Sequence, residues 1–131
     1  MKDCIFCKTA KKELPSHIIW EDKNFMAFLS VFPEVECMTI VIPKKHFDSY
    51  VFDVDKKVTC DLLAAATTVA KILDTKLKNV LRTSLVFEGL EVNHLHAKLF
   101  PIYKDKTRIL PNDVKRASDE ELAKVARKLK G

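Results

Sequence analysis

Glycine is almost absent: there are two in 131 residues, beside five prolines, so neither a flexible linker nor a low-complexity chain is compatible with the composition. No apolar run approaches the ~18 residues that a membrane-spanning helix needs. The first residues, Met1-Lys2-Asp3-Cys4, carry no apolar stretch and no small-residue cleavage site. That sets the expectation of a cytoplasmic protein, with the nucleus left open and no membrane partner. Cysteine is sparse as well, at positions 4, 7, 37 and 60, which is too few for a disulfide scaffold. What remains is a globular mixture, 47% hydrophobic and 31% charged, of a length that suits one domain with a core of its own. The net charge is +5, but lysines and arginines are scattered among acids. An anionic small ligand fits that pattern better than nucleic acid does.

No internal repeat is present. Ile18-Ile19-Trp20 and Phe25–Leu29 flank a polar Glu21-Asp22-Lys23-Asn24 and predict a β-hairpin. Thr39–Ile42 is a β-branched run stopped by Pro43, a buried strand. From Lys56 to Val80 the apolar residues Val58, Leu62, Ala66, Val69, Leu73, Leu77 and Val80 recur at steps of three and four, the pattern of one long helix. Ser84–Phe87 and Leu95–Phe100 read as two further strands, the second ended by Pro101. Ser118 and Glu121 form a capping box ahead of a C-terminal helix over about 118–130. The expected fold is α+β, an antiparallel sheet of about five strands with helices against one face. Cys37 and Cys60 are read as core filler, His17 as a surface residue, Lys44 and Lys45 as a solvated loop, and Lys104-Asp105-Lys106 as an exposed turn.

The segment from Val92 to Pro101 carries the chemistry. Period-two alternation sends His94, His96 and Lys98 to one face and Leu95, Ala97 and Leu99 into the core. Two of the four histidines, with an ammonium, then share a surface that is compatible with a metal pair or with nothing more than solvent. Cys4-x-x-Cys7 is the one cysteine pair whose spacing favours metal or redox chemistry, and no βαβ pattern surrounds it to support a thioredoxin-like use.

His94-Leu95-His96-Ala97-Lys98-Leu99-Phe100 before a proline resembles the histidine triad motif of the HIT family. Cys4–Lys8, Glu13–Ser16, Trp20-Glu21-Asp22, Ala27-Phe28-Leu29 and Thr39–His46 stand in that family's order and approximate spacing. The resemblance covers about positions 4 to 101 and points to the HINT-type and bacterial branches, hydrolases or transferases acting on nucleoside phosphoramidates and dinucleoside polyphosphates. It implies a HIT-like fold with a core over about 4–103, a purine nucleotide or nucleotide conjugate as ligand, and a homodimer built on the sheet and the long helix. His96 is implied as the nucleophile that forms a covalent nucleotidyl-histidine, with Lys98 contacting phosphate. Ile5, Phe6, Phe28 and Val31 correspond to an apolar purine slot, which as a residue pattern is equally core. Zinc is implied at Cys4, Cys7, His46 and His94, a closed set of four ligands that leaves no open position for catalytic water; the alternative is a pair of ordinary thiols.

The sequence departs from the family at four places. Lys98 stands where a third histidine is usual, Ser30 where a ribose-binding aspartate is usual, and Leu90 and Glu91 where Gln-Ser precedes the triad. A lysine holds phosphate as a point charge but does not release a proton near neutrality as histidine does. Altered substrate preference or slow turnover follows. Two other classes stay open: a nucleotide-binding regulatory module with little turnover, and a basic nucleic-acid-binding protein.

Overall fold

The Asp22 side chain folds the first hairpin, its carboxylate accepting from the backbone N–H groups of Asn24 and Phe25 at 2.9 and 2.7 Å. On either side run β1 (Ile18–Glu21) and β2 (Phe25–Leu29), as expected. The computed structural model describes residues 3–105 and 114–131. Within them β3 (Thr39–Pro43), β4 (Val80–Val86) and β5 (Ala97–Tyr103) complete an antiparallel sheet in the order β1-β2-β3-β5-β4. The five-stranded sheet and its long helix match the expected α+β architecture.

The two faces of the sheet bury different sets. On one, Ala27, Val41, Ala97 and Leu99 meet Leu62, Ala65, Ala66, Val69 and Leu73 of α2 (Lys56–Lys76). On the other, Met26, Phe28, Ile40, Ile42 and Phe100 gather with Phe6 and Ala10 of a short α1 (Ile5–Ala10). The expectation of helices on one face only is therefore corrected. The reason is local: Cys4 caps α1, its sulfur accepting from the Cys7 N–H at 3.3 Å, and six residues are too few to display a helical period.

Three element boundaries also move. The long helix ends at Lys76 instead of Val80, because Leu77 turns extended and Asn79 takes a left-handed conformation (φ 65°) that reverses the chain into β4. β4 thus begins at Val80, four residues before the expected Ser84. β5 starts at Ala97 instead of Leu95 and runs on through Pro101. β3 pairs with β5 no further than Leu99, so Pro101 has a strand on one side only, where a missing N–H is tolerated.

The C-terminal α3 (Asp119–Lys130) begins as predicted, with the Ser118 hydroxyl accepting from the Glu121 N–H at 3.2 Å, and none of its residues is buried. Cys37 and Cys60 are not core. Cys60 is exposed on α2, and Cys37 is half-buried in a turn with φ 64°. Lys104 and Asp105 form the exposed turn expected there, while Lys106 lies outside the described residues. No helix among the described residues is long and apolar enough to cross a membrane.

Candidate functional site

The chain from Glu91 to His96 is irregular and feeds β5, and α1 packs across it. His94, His96 and Lys98 share one side as alternation predicts, but the expected open surface is corrected: relative exposures are 0%, 3% and 9%. Alternation shows which side a residue takes, not what covers that side. Here the cover is Phe6, whose ring stands edge-on to His96 at 5.1 Å, to His94 at 6.0 Å and to Phe28 at 5.5 Å between centroids.

Each imidazole is held through one nitrogen. His96 Nδ1 lies 2.7 Å from the His94 carbonyl oxygen, which can only accept, so Nδ1 carries the proton and Nε2 the lone pair. His94 Nε2 likewise donates to the Pro43 carbonyl at 2.8 Å, and its Nδ1 faces two sulfurs, Cys4 Sγ at 3.3 Å and Cys7 Sγ at 3.5 Å. Burial holds both imidazoles below the usual histidine range; for His96 the bond to the carbonyl opposes that shift, the Lys98 charge adds to it, and Glu88 and Glu91 pull the other way. Both rings are neutral at pH 7.

Cys4, Cys7, His46 and His94 come together: one donor atom from each lies within 4.8 Å of the others. His46 Nδ1 is 3.4 Å from Cys7 Sγ. Tetrahedral zinc with Zn–S of about 2.3 Å and Zn–N of about 2.0 Å sets its donors roughly 3.5 Å apart, so the spacing fits a metal ion. The surroundings fit as well. Burial, with the Cys4 sulfur alongside, pushes the Cys7 thiol above the usual cysteine range, a cost that a cation removes. Behind His46, Nε2 lies 3.4 Å from Asp48 Oδ1 without forming an aligned hydrogen bond, and Asn93 Nδ2 donates to that same oxygen at 3.2 Å. A carboxylate behind a ligating imidazole orients it and raises its basicity.

Lys98 reaches Glu88, Nζ to Oε1 at 3.5 Å, its side chain 11% exposed against 47% for the glutamate. Glu88 is the second residue after β4, and the cross-strand pairing of Val86 with Lys98 brings it there. The sequence offered no signal for this partner, since it depends on strand register. Asp48 and Asn93 also went unread; their link spans 45 residues.

The remaining expected residues divide. Phe28 is buried and Phe6 half-buried, but Ile5 is about half exposed and Val31 lies 74% exposed after β2. The Ser30 hydroxyl accepts from the Phe32 N–H at 3.2 Å and is occupied with its own turn. Leu90 and Glu91 both face solvent. His17 is exposed as expected. Lys45 is exposed on its loop with its ammonium 5.5 Å from the centre of the Phe47 ring, whereas Lys44 is half-buried and bonds Glu21 at 2.7 Å.

Comparison with known proteins places these features in company. The HIT domain family model matches residues 11–105. The adenosine 5′-monophosphoramidase of Saccharomyces cerevisiae is 33% identical over 107 residues, covering 82% of this chain and 67% of its own. A HIT family hydrolase from Clostridium thermocellum superposes with a TM-score of 0.69 at 28% identity, over 84% of this chain and 99% of the other. A protein from Streptococcus mutans superposes with a TM-score of 0.78 at 26% identity, over 99% and 85%.

Proposed function

This chain belongs to the HIT domain family, and on that premise we propose that it is a nucleotide hydrolase or transferase working through a covalent nucleotidyl-histidine at His96. The observation that carries the reading is the 2.7 Å bond between His96 Nδ1 and the His94 carbonyl. It fixes the tautomer, and with burial keeping the ring neutral it leaves Nε2 as a nucleophile for the α-phosphorus of a purine nucleotide. Attack forms the N–P bond and expels the leaving group; water then opens that bond and returns the imidazole, splitting one difficult displacement into two. Lys98 contributes positive charge toward the phosphoryl oxygens. Phe28 and Phe6 wall the purine, with Ile5 and Val31 as its open margin, and Ser30, whose turn uses its hydroxyl only as an acceptor, keeps its O–H for the ribose.

The metal in this reading is zinc, held by Cys4, Cys7, His46 and His94. When bound it supplies a structural crosslink between α1 and the segment entering β5, and His94 is then a ligand instead of a catalytic base. The working unit is a homodimer formed by one HIT domain per chain, joined along β4 and α2.

The test is hydrolysis of adenosine 5′-phosphoramidate and of diadenosine tetraphosphate by the wild type and by His96→Ala. Loss of at least ~10³-fold in kcat supports the reading; turnover that survives the substitution removes it. Nucleotide binding without turnover in either protein would favour the regulatory-module reading, to which Lys98 and the acidic Glu91 lend support.

A further inference from the structure

We infer that this site is built to expel an anion: among nucleotidyl donors it prefers phosphoanhydrides, whose leaving group is a phosphate, over phosphoramidates, whose leaving group is an amine. This rests on the reading of His96 as nucleophile and narrows the substrate class of that same site.

The first observation is the state of Lys98. It stands two residues beyond His96 on the same side of β5, its side chain 11% exposed, and Glu88 is its one hydrogen-bonding partner among the described residues. At 3.5 Å from a carboxylate that is itself half in solvent, a largely desolvated ammonium is incompletely neutralised and keeps donors to spare. Such a group attracts an anion and stabilises charge that grows on a departing oxygen.

The second observation is that no imidazole is set to hand a proton to a departing amine. His94 is committed at both nitrogens, to the Pro43 carbonyl and to the two sulfurs; His46 turns Nδ1 to Cys7, and its Nε2, though without a hydrogen-bond partner, is buried facing Asp48; His96 is the nucleophile with its one proton bound to a carbonyl. The fourth, His17, is solvent-exposed ahead of β1. Glu88 and Glu91, as carboxylates, accept protons instead of giving them.

The two leaving groups differ in what they require. In a phosphoanhydride the Nε2 lone pair forms the bond to the α-phosphorus while the bridging P–O bond breaks, and its electron pair stays on the oxygen, which leaves as a terminal phosphate oxygen. Nδ1 keeps its proton throughout, and Lys98 transfers none. Water then attacks the phosphorus, the N–P electron pair returns to Nε2, and the water proton passes to solvent. A phosphoramidate nitrogen, by contrast, must take up a proton as the P–N bond breaks, because an amide anion does not leave. Of the side chains just named only the Lys98 ammonium has a proton to give, and near neutrality it releases that proton less readily than the histidine it replaces would, so the phosphoramidate is the slower substrate.

The experiment measures kcat and KM for diadenosine tetraphosphate and adenosine 5′-phosphoramidate with the wild type, Lys98→His and Lys98→Arg. The wild type is expected to favour the tetraphosphate in kcat/KM by about tenfold or more, Lys98→His to shift that ratio at least about tenfold toward the phosphoramidate, mainly through kcat, and Lys98→Arg to keep the preference. A wild type that favours the phosphoramidate or turns over neither substrate overturns the inference, as does a ratio that stays put in a folded Lys98→His protein. Should Lys98→His fail to fold, the wild-type ratio alone decides. His96→Ala separates the two layers: turnover surviving in it defeats the nucleotidyl-histidine reading, whereas a reversed preference that still depends on His96 defeats only the leaving-group assignment.

Discussion

Tyr103 sits at the end of β5, its hydroxyl donating to the Glu36 carbonyl at 2.9 Å, and burial, with Cys37 alongside, pushes its phenol up to about 12. The raised value means that the folded protein holds this proton more tightly than the unfolded chain, whose tyrosines titrate near ~10. The stability involved is complete below about pH 10 and is lost as pH rises toward 12. Absorbance titration should therefore show one phenol ionising near pH 12, gone in Tyr103→Phe, and the variant's stability should depend less on pH above 10. Nothing in the residue string around Tyr103 announces this partner, which lies 67 positions away. By contrast, the side taken by His94, His96 and Lys98 was legible from alternation alone. Their burial was not, because it comes from Phe6 in a helix too short for periodicity. Gly89 is a further residue whose role appears only in three dimensions: φ is +70°, and a Cβ there would stand 2.7 Å from the Ser49 carbonyl oxygen.

Among the elements, α2 was the easiest to read, since Val58 to Leu73 repeat over about four turns, and its end was misplaced only because Leu77 and Val80 continue the apolar spacing into a turn and a strand. α1 was the hardest. Its Cys-x-x-Cys spacing has two uses at once: Cys4 caps the helix, and both sulfurs turn toward His94. Zinc bound there should make α1 depend on the metal. About one equivalent per chain is expected by elemental analysis in the wild type, and less than a tenth in Cys7→Ser. Chelation should lower Tm by roughly 10 °C and open the first residues to proteolysis. A chelator with no effect on either readout would leave α1 held by Phe6 and Ala10 alone.

At the scale of the whole molecule the sheet has two outer strands, β1 and β4. β4 is the longer, with Leu81 exposed on it and Leu63 exposed on the neighbouring α2. A seven-residue edge beside apolar side chains is a surface that a second copy can cover by the same pairing on both sides. Sedimentation equilibrium should find a dimer for the wild type and a shift toward monomer for the double variant Leu63→Lys, Leu81→Lys, with the far-UV spectrum unchanged. A wild-type monomer at micromolar concentration would remove the dimer from the proposal. The fastening of Cys4 to His94 also bears on the order in which the chain assembles. These residues are 90 apart, so their meeting closes a loop over most of the molecule. Such a contact forms only once the hairpin of β1 and β2 and the central strands have already narrowed the search. The expected consequence is kinetic: Cys4→Ser should speed unfolding in stopped-flow measurements while leaving the refolding rate nearly as it was.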